Sequence, residues 1–246
     1  MINTKQIGTN AKKMFSPLKF EAKRHLYYIM HSNGYMEYLP SVSSKVESYV
    51  PPFDMNKWLP LCARKEGMSE AELAHKWQTI NKLACDLGTE THKWLEKWDG
   101  FKTPNTPQKE AGVLFLKSIQ NRYTIIGKEL RMYHRKYKYA GTCDLLLYDR
   151  YSDSLVLADY KTNGDLFKTF DMMNAPFGYL QSHPYNHYQI QLSLYNILLE
   201  QLGYPVSNRL IVHLDSLGQY RTYDAYYFRN ELVGELDRKL KTKLAA

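Results

Sequence analysis

Asp144, Asp159 and Lys161 are the residues of this chain whose types and spacing most suggest chemistry. They lie in one stretch, GTCDLLLYDRYSDSLVLADYKT, from Gly141 to Thr162. Side chains alternate faces along a strand, so Asp159 and Lys161 point the same way. Leu145–Leu147 and Leu155–Ala158 form two apolar runs, which suit strands covered on both faces. Asp149, Arg150, Ser152, Asp153 and Ser154 supply turn chemistry between them. A turn centred between Tyr151 and Ser152 sets Asp144 opposite Asp159, with Cβ atoms about 4.5–5.5 Å apart. Carboxylates that close repel unless a cation lies between them. A hard divalent cation, Mg²⁺ or Mn²⁺, fits oxygen ligands of this kind. Taken singly, each residue has an ordinary reading: Asp144 ends a turn, and Asp159 pairs with Lys161. Together, inside apolar strands, they point to a metal site that hydrolyses phosphodiesters.

The elements that must position these residues follow from the rest of the pattern. Residues 1–20 read as irregular, a short disordered lead carrying Lys5, Lys12 and Lys13, with a targeting role left open. Two short strands surround Asn33-Gly34, a strong hairpin turn. Ser41 and Ser43 precede a short helix ended by Pro51-Pro52, and residues 55–65 form another. Ser69 and Glu72 make a capping box for a long helix. Along it Trp77, Ile80, Leu83, Ala84, Leu87, His92, Leu95 and Trp98 recur at roughly helical spacing. A helix over 109–122 leads into a strand over 123–133 and then the hairpin. A long irregular segment, 163–186, precedes a helix over 188–202. A strand pair around Gly218 and a C-terminal helix over 230–244 complete the chain. The expected fold class is α/β, a mixed sheet flanked by helices. Residues 1–66 form an N-terminal extension packed on a core that spans 67–246.

Further candidate residues come from these elements. His92 lies in LGTETHKWLEKW on the long helix, one turn after Gly88 and Thr89, where a small face admits a strand or ligand. Glu96 nearby reads equally as a solvated helix charge. Gln191 and Tyr195 are four apart and share a helix face, with His187 one turn earlier. They either contact a phosphate and a base or form an ordinary border pair. Glu129 either orients Lys161 or a metal-bound water, or is an ordinary strand carboxylate. Phe167, Phe170, Phe177, Tyr179 and Tyr185, with Lys168, either arch the 163–186 loop over a single strand or pack it down as a flap.

Composition sets the limits. The 246 residues carry 33 basic and 25 acidic side chains, a net charge of +8, and 21 tyrosines. Basic and aromatic residues interleave in RMYHRKYKY, Arg131–Tyr139, a pattern that suits phosphates and unpaired bases. Tyrosine is also simply a good strand residue. Cys62, Cys85 and Cys143 have no zinc-like spacing, and an odd count without a secretory signal fits an intracellular, cytoplasmic protein. No apolar run of membrane-spanning length occurs, and no GxxxxGK[ST] phosphate loop.

The ordered set GTETH, GTCD, DYK and QLSLY resembles the PD-(D/E)XK nuclease superfamily, and within it the RecB-like branch. The segment RHLYYI…NGYMEYLPSVSS resembles the lead-in of the mitochondrial genome maintenance exonuclease and of related phage exonucleases, with Ser43 where those have threonine. The resemblance covers roughly residues 24–228. It implies a restriction-endonuclease-like core. It also implies His92, Asp144, Asp159 and the backbone carbonyl of Tyr160 as metal ligands, Lys161 as the catalytic lysine, and Gln191 and Tyr195 as residues that hold DNA. Many relatives carry a four-cysteine iron–sulfur cluster, which three scattered cysteines do not supply. The function so implied is a Mg²⁺- or Mn²⁺-dependent DNA exonuclease acting on single strands or DNA ends in recombination, repair or turnover. A flap or junction endonuclease, or a catalytically silent DNA-binding subunit, are the alternatives. The partners are DNA and phage or host recombination proteins, with no membrane.

Overall fold

A computed structural model describes residues 3–169 and 171–245. A five-stranded mixed sheet carries the candidate residues. Its strands are β4 (Tyr123–His134), β5 (Tyr139–Asp149), β6 (Ser154–Lys161), β7 (Val206–Leu214) and β8 (Tyr220–Asp224), in that spatial order. All neighbours are antiparallel except β6 and β7, which run parallel. Parallel neighbours need a crossover. It is made by residues 162–183 and α6 (Pro184–Glu200), an almost wholly buried helix. A second, antiparallel sheet holds β1 (Leu18–Glu21), β2 (Leu26–Met30) and β3 (Met36–Leu39). The chain is thus α/β, with helices flanking the sheets.

The remaining helices are α1 (Thr4–Phe15), α2 (Val42–Glu47), α3 (Met55–Glu66), α4 (Glu70–Glu96), α5 (Pro107–Ser118) and α7 (Arg229–Ala245). Polar side chains fix their starts. Asn3, Ser41, Asp54, Ser69 and Thr106 each accept a backbone N–H of the first turn, and Ser69 and Glu72 close the expected capping box.

One expectation needs correction, and the structure decides two points that the spacing left open. The N-terminal lead is not irregular: α1 forms, and Ile7, Ala11 and Phe15, each four residues apart, bury one stripe in the main apolar cluster. β1 follows it directly and pairs with β2. The apolar positions of α4 make a helix but not a buried stripe. Leu73, Thr91 and Leu95 are buried, whereas Ile80 and Leu83 are 54% and 63% exposed. The 163–186 segment is largely packed rather than arched. Leu166, Met173 and Phe177 are buried, and Phe177 meets the rings of Tyr49 and Phe228 edge-on. Tyr185 belongs to α6, and Phe170 lies outside the described residues. Phe167 and Tyr179 remain exposed.

One apolar cluster joins Ile7, Phe15, Tyr27 and Val42 to Leu146, Leu157, Leu194 and Leu232. Residues from Ile7 to Val50 therefore share a core with the five-stranded sheet. A second cluster lies on the other sheet face, where Leu95 and Phe115 cover Leu145, Leu147 and Val212.

Candidate metal centre and active site

The hairpin has the register that its turn chemistry dictates. Leu145 pairs with Ala158 and Asp149 with Ser154, so the next rung would place Asp144 opposite Asp159. The ladder stops one residue short of that rung. On the other side of β5, Lys128 pairs with Leu145 and Leu130 with Cys143, and the rung between them, Glu129 opposite Asp144, is missing. Asp144 is the one residue of β5 with no partner in either neighbouring strand.

Both breaks have a cause at the side-chain level. Asp144 Oδ2 accepts the Tyr160 backbone N–H at 2.7 Å, taking the place of a strand carbonyl. Opposite it, Glu129 has φ +48°, the left-handed region that a glutamate seldom occupies. Backbone strain of this kind costs about 1–3 kcal/mol and concentrates at functional sites. The strain turns the Glu129 carboxylate towards Asp144 instead of leaving it in the regular alternation of β4.

His92 reaches this gap from α4. Its Nδ1 lies 3.1 Å from Asp144 Oδ1. A Cβ on Gly88, one turn earlier, would stand 3.3 Å from Thr162 Oγ1, so the small residue lets the helix settle against the end of β6. His92, Glu129 and Asp144 form a compact group whose ligand atoms all lie within 4.8 Å of one another. Two ligands on opposite sides of a cation bound at about 2.1 Å are about 4.2 Å apart, so one small cation fits the group.

The charges within the group strain one another. Burial, and then the charge of Asp144, pushes the Glu129 carboxyl up to about 8. Burial and Asp144 likewise raise Asp159 to about 6. Burial opposes a charge on His92, but Asp144 beside it more than compensates and raises the imidazole to about 9. Asp144 itself is lowered: burial works against its charge, and His92, Lys161 and the Tyr160 N–H outweigh that. Three buried or half-buried carboxylates face one imidazolium and the Lys161 ammonium, and a divalent cation would relieve the repulsion that raises Glu129 and Asp159.

Asp159 and Lys161 share a face of β6, as strand periodicity requires, and make a close ion pair. Lys161 Nζ also donates to Gln191 Oε1 at 2.8 Å and sits 4.3 Å from the centre of the Tyr188 ring. Burial disfavours the ammonium, yet Asp159 holds its pKa above the usual value. Tyr188 Oη donates to Asn163, and Asn163 O contacts His213 Nε2, so the chain just after Lys161 is fixed from two sides.

The expected site residues therefore divide. His92, Glu129 and Asp144 come together as a cation-sized group. Asp159 stands next to them, facing Lys161. The Tyr160 N–H points towards β5; the N–H and C=O of a strand residue face the same neighbour, so its carbonyl opens on that side too. Gln191 positions Lys161. Tyr195 is buried, with Gln191 Nε2 at 3.4 Å from its hydroxyl and its ring packed on Gly141, where a Cβ would stand 2.6 Å from Cε1. It supports Gln191 from below and has no free face for a base. His187 turns away to Ser182 Oγ, 3.0 Å distant, and lines a groove of about 310 Å³ with Trp58 and Asp171. Tyr188 is the residue that sequence reasoning passed over. Its position, one turn before Gln191 on the same helix face, is the signal that could have found it.

No family model and no curated protein matches the chain. Among solved structures it is similar to one described as "Crystal structure of SSO0001". That likeness spans 82% of this chain and 81% of the other, at 15% identity and a TM-score of 0.37. Among the described residues, no helix is long and apolar enough to cross a membrane.

Proposed function

We propose that this protein is a divalent-metal-dependent deoxyribonuclease with a restriction-endonuclease-like core, acting as an exonuclease on single-stranded DNA or DNA ends. The observation that carries the reading is the meeting of His92, Glu129 and Asp144 within 4.8 Å, beside an ion-paired Lys161. The sequence motifs to which these residues belong occur in the order seen in RecB-like nucleases.

His92, Glu129 and Asp144 would hold the cation, with Asp159 and the Tyr160 carbonyl on its edge. The donor set of one imidazole and several carboxylates suits Mn²⁺ or Mg²⁺. A bound ion of this type polarises a phosphoryl oxygen and makes a bound water more acidic. The chain's own residues supply the rest. Asp159 and Gln191 keep the Lys161 ammonium in one place, so it can orient the attacking water and stabilise negative charge growing on the phosphate. Tyr188, against the lysine stem, limits its freedom. Asp144 holds the Tyr160 N–H and so fixes β6, the strand that carries both Asp159 and Lys161.

The test uses end-labelled linear single strands and duplexes, and circles of the same sequence, with Mg²⁺, Mn²⁺ or EDTA. The reading predicts release of label from linear DNA with either ion, none in EDTA, and an intact circle. A cut circle would make the protein an endonuclease. No cleavage of any substrate would remove the reading.

A further inference from the structure

A groove of about 680 Å³ lies away from the metal group, and nothing in the proposed chemistry uses it. Its walls are the β2–β3 hairpin, the β4–β5 turn, Lys45 of α2 and the last turns of α7. Five cations line it: Lys45, Lys136, Lys138, Arg238 and Lys239. Among the described residues, Glu37 is the only carboxylate in the lining. Asp237 and Glu235, just outside it, pair with Lys136 and with Arg238 and Lys239, and Glu37 pairs with Lys138. Lys136, Lys138, Arg238 and Lys239 thus share three carboxylates, one positive charge in excess among these four. Ion pairs this exposed are weak, so an incoming phosphate competes for the same ammonium groups.

Aromatic side chains stand between the charges. Tyr35 and Tyr38 line the groove and are 62% and 49% exposed. The register of the small sheet puts Tyr28, Met30, Met36 and Tyr38 on its outer face, and the Tyr28 and Tyr38 rings lie 5.9 Å apart. Met30, Met36 and Tyr38 of that face are exposed, whereas the opposite face, with Tyr27 and Leu39, is in the core. Exposed rings on an open sheet face beside lysines are a platform for unpaired bases with their phosphates. A duplex, whose bases are stacked within, cannot use the rings. An acidic polypeptide would satisfy the lysines and leave the rings unused.

The groove also adjoins the strand that carries Asp144. Pro40, in its wall, accepts the backbone N–H of Ala140. From Ala140 to Asp144 is four residues of β5, about 13 Å at about 3.3 Å per residue.

We infer that this groove is a binding site for single-stranded DNA. The inference rests on the nuclease reading for the choice of DNA, but its test does not need cleavage. Binding of a fluorescein-labelled twenty-residue oligothymidylate is measured by anisotropy in EDTA, across a range of salt concentrations. Lys136→Ala, Lys138→Ala and Lys239→Ala combined should weaken binding at least tenfold. The same triple variant should flatten the logarithmic salt dependence by about 2, at about 0.7 per phosphate contact. Tyr35→Ala with Tyr38→Ala should weaken binding about fivefold or more and leave the salt slope unchanged. A control triple at exposed lysines elsewhere, Lys5, Lys65 and Lys117 to Ala, should change little. Circular dichroism verifies that each variant folds.

Unchanged affinity in both groove variants would overturn the inference. So would an equal loss in the control triple, or equal competition by duplex DNA, by oligouridylate or by polyglutamate. The two readings fail separately. If wild type cleaves DNA but the groove variants bind normally, the groove is wrong and the nuclease stands. If wild type cleaves nothing while the groove variants lose binding, the groove stands and the nuclease reading falls.

Discussion

Asp144 stands where both ladders of its strand are interrupted, and much of the site follows from that position. It is buried, takes the Tyr160 N–H and faces His92, while the residue across from it, Glu129, adopts φ +48°. Glu129→Gln keeps size and hydrogen-bonding capacity but removes one charge from the group. It should weaken Mn²⁺ binding about tenfold or more by calorimetry; unchanged affinity would show that Glu129 is not a ligand. Gly141 tests a different contact. A Cβ there would stand 2.6 Å from Tyr195 and 2.8 Å from Val42, atoms packed too deeply to move aside freely. Gly141→Ala should cost about 1–3 kcal/mol in urea unfolding, the usual range for overpacking. Full stability in that variant would mean that the Tyr195 ring has more room than the structure gives it. The glycine of the GTCD motif thus has a packing reason. Asp159 and Lys161 were readable from strand periodicity alone. The role of Glu129 was not, because it depends on a left-handed backbone that no local pattern announces. Tyr195 differed as well: helical spacing put it beside Gln191, and only tertiary packing shows that its ring is buried.

At the scale of elements, β4 and β5 carry the site at their middle and a titrating histidine where they join. His134 ends β4, with its ring near those of Tyr137 and Tyr139 and its Nδ1 accepting the Tyr137 N–H. Burial, helped by Lys136, lowers its pKa to about 4. The unfolded chain has a histidine of about 6.5. Between those values the unfolded state binds a proton that the folded state refuses. Stability from this residue is therefore complete above about 6.5 and is lost as the pH falls towards 4. His134→Asn should narrow the difference between urea midpoints measured at pH 7 and at pH 4.5; an unchanged difference would place the acid sensitivity elsewhere. The strands, the capped helices and the hairpin register were legible because caps, turns and alternation are local signals. α1 was missed because its apolar stripe has only three residues, Ile7, Ala11 and Phe15, among lysines and polar groups. The exposure of Ile80 and Leu83 was hidden for the opposite reason. Helical spacing predicts a helix but cannot say which part of a 27-residue helix, about 40 Å long, has a neighbour.

In the whole molecule, residues far apart in the chain meet because a mixed sheet and two helices bring them together. α4 delivers His92, β4 delivers Glu129, the hairpin delivers Asp144, Asp159 and Lys161, and α6 delivers Gln191 and Tyr188. The parallel pairing of β6 with β7 places α6 across the sheet, which is how Gln191 comes to hold the lysine. The small N-terminal sheet is joined to the same core. Its Tyr27 hydroxyl lies 2.8 Å from Thr142 Oγ1, two residues before Asp144. The net charge of +8 has a local counterpart in the lysine-lined groove beside that sheet. The central claim is that the Asp144 and Lys161 constellation hydrolyses DNA with a divalent cation. Its most direct test is the initial rate of cleavage of an end-labelled single strand with Mn²⁺, for wild type, Asp144→Ala and Lys161→Ala. The account predicts cleavage by wild type that EDTA stops, and rates at least a hundredfold lower in both variants, on the scale of lost electrostatic stabilisation of the transition state. Cleavage at the wild-type rate by either folded variant would contradict it.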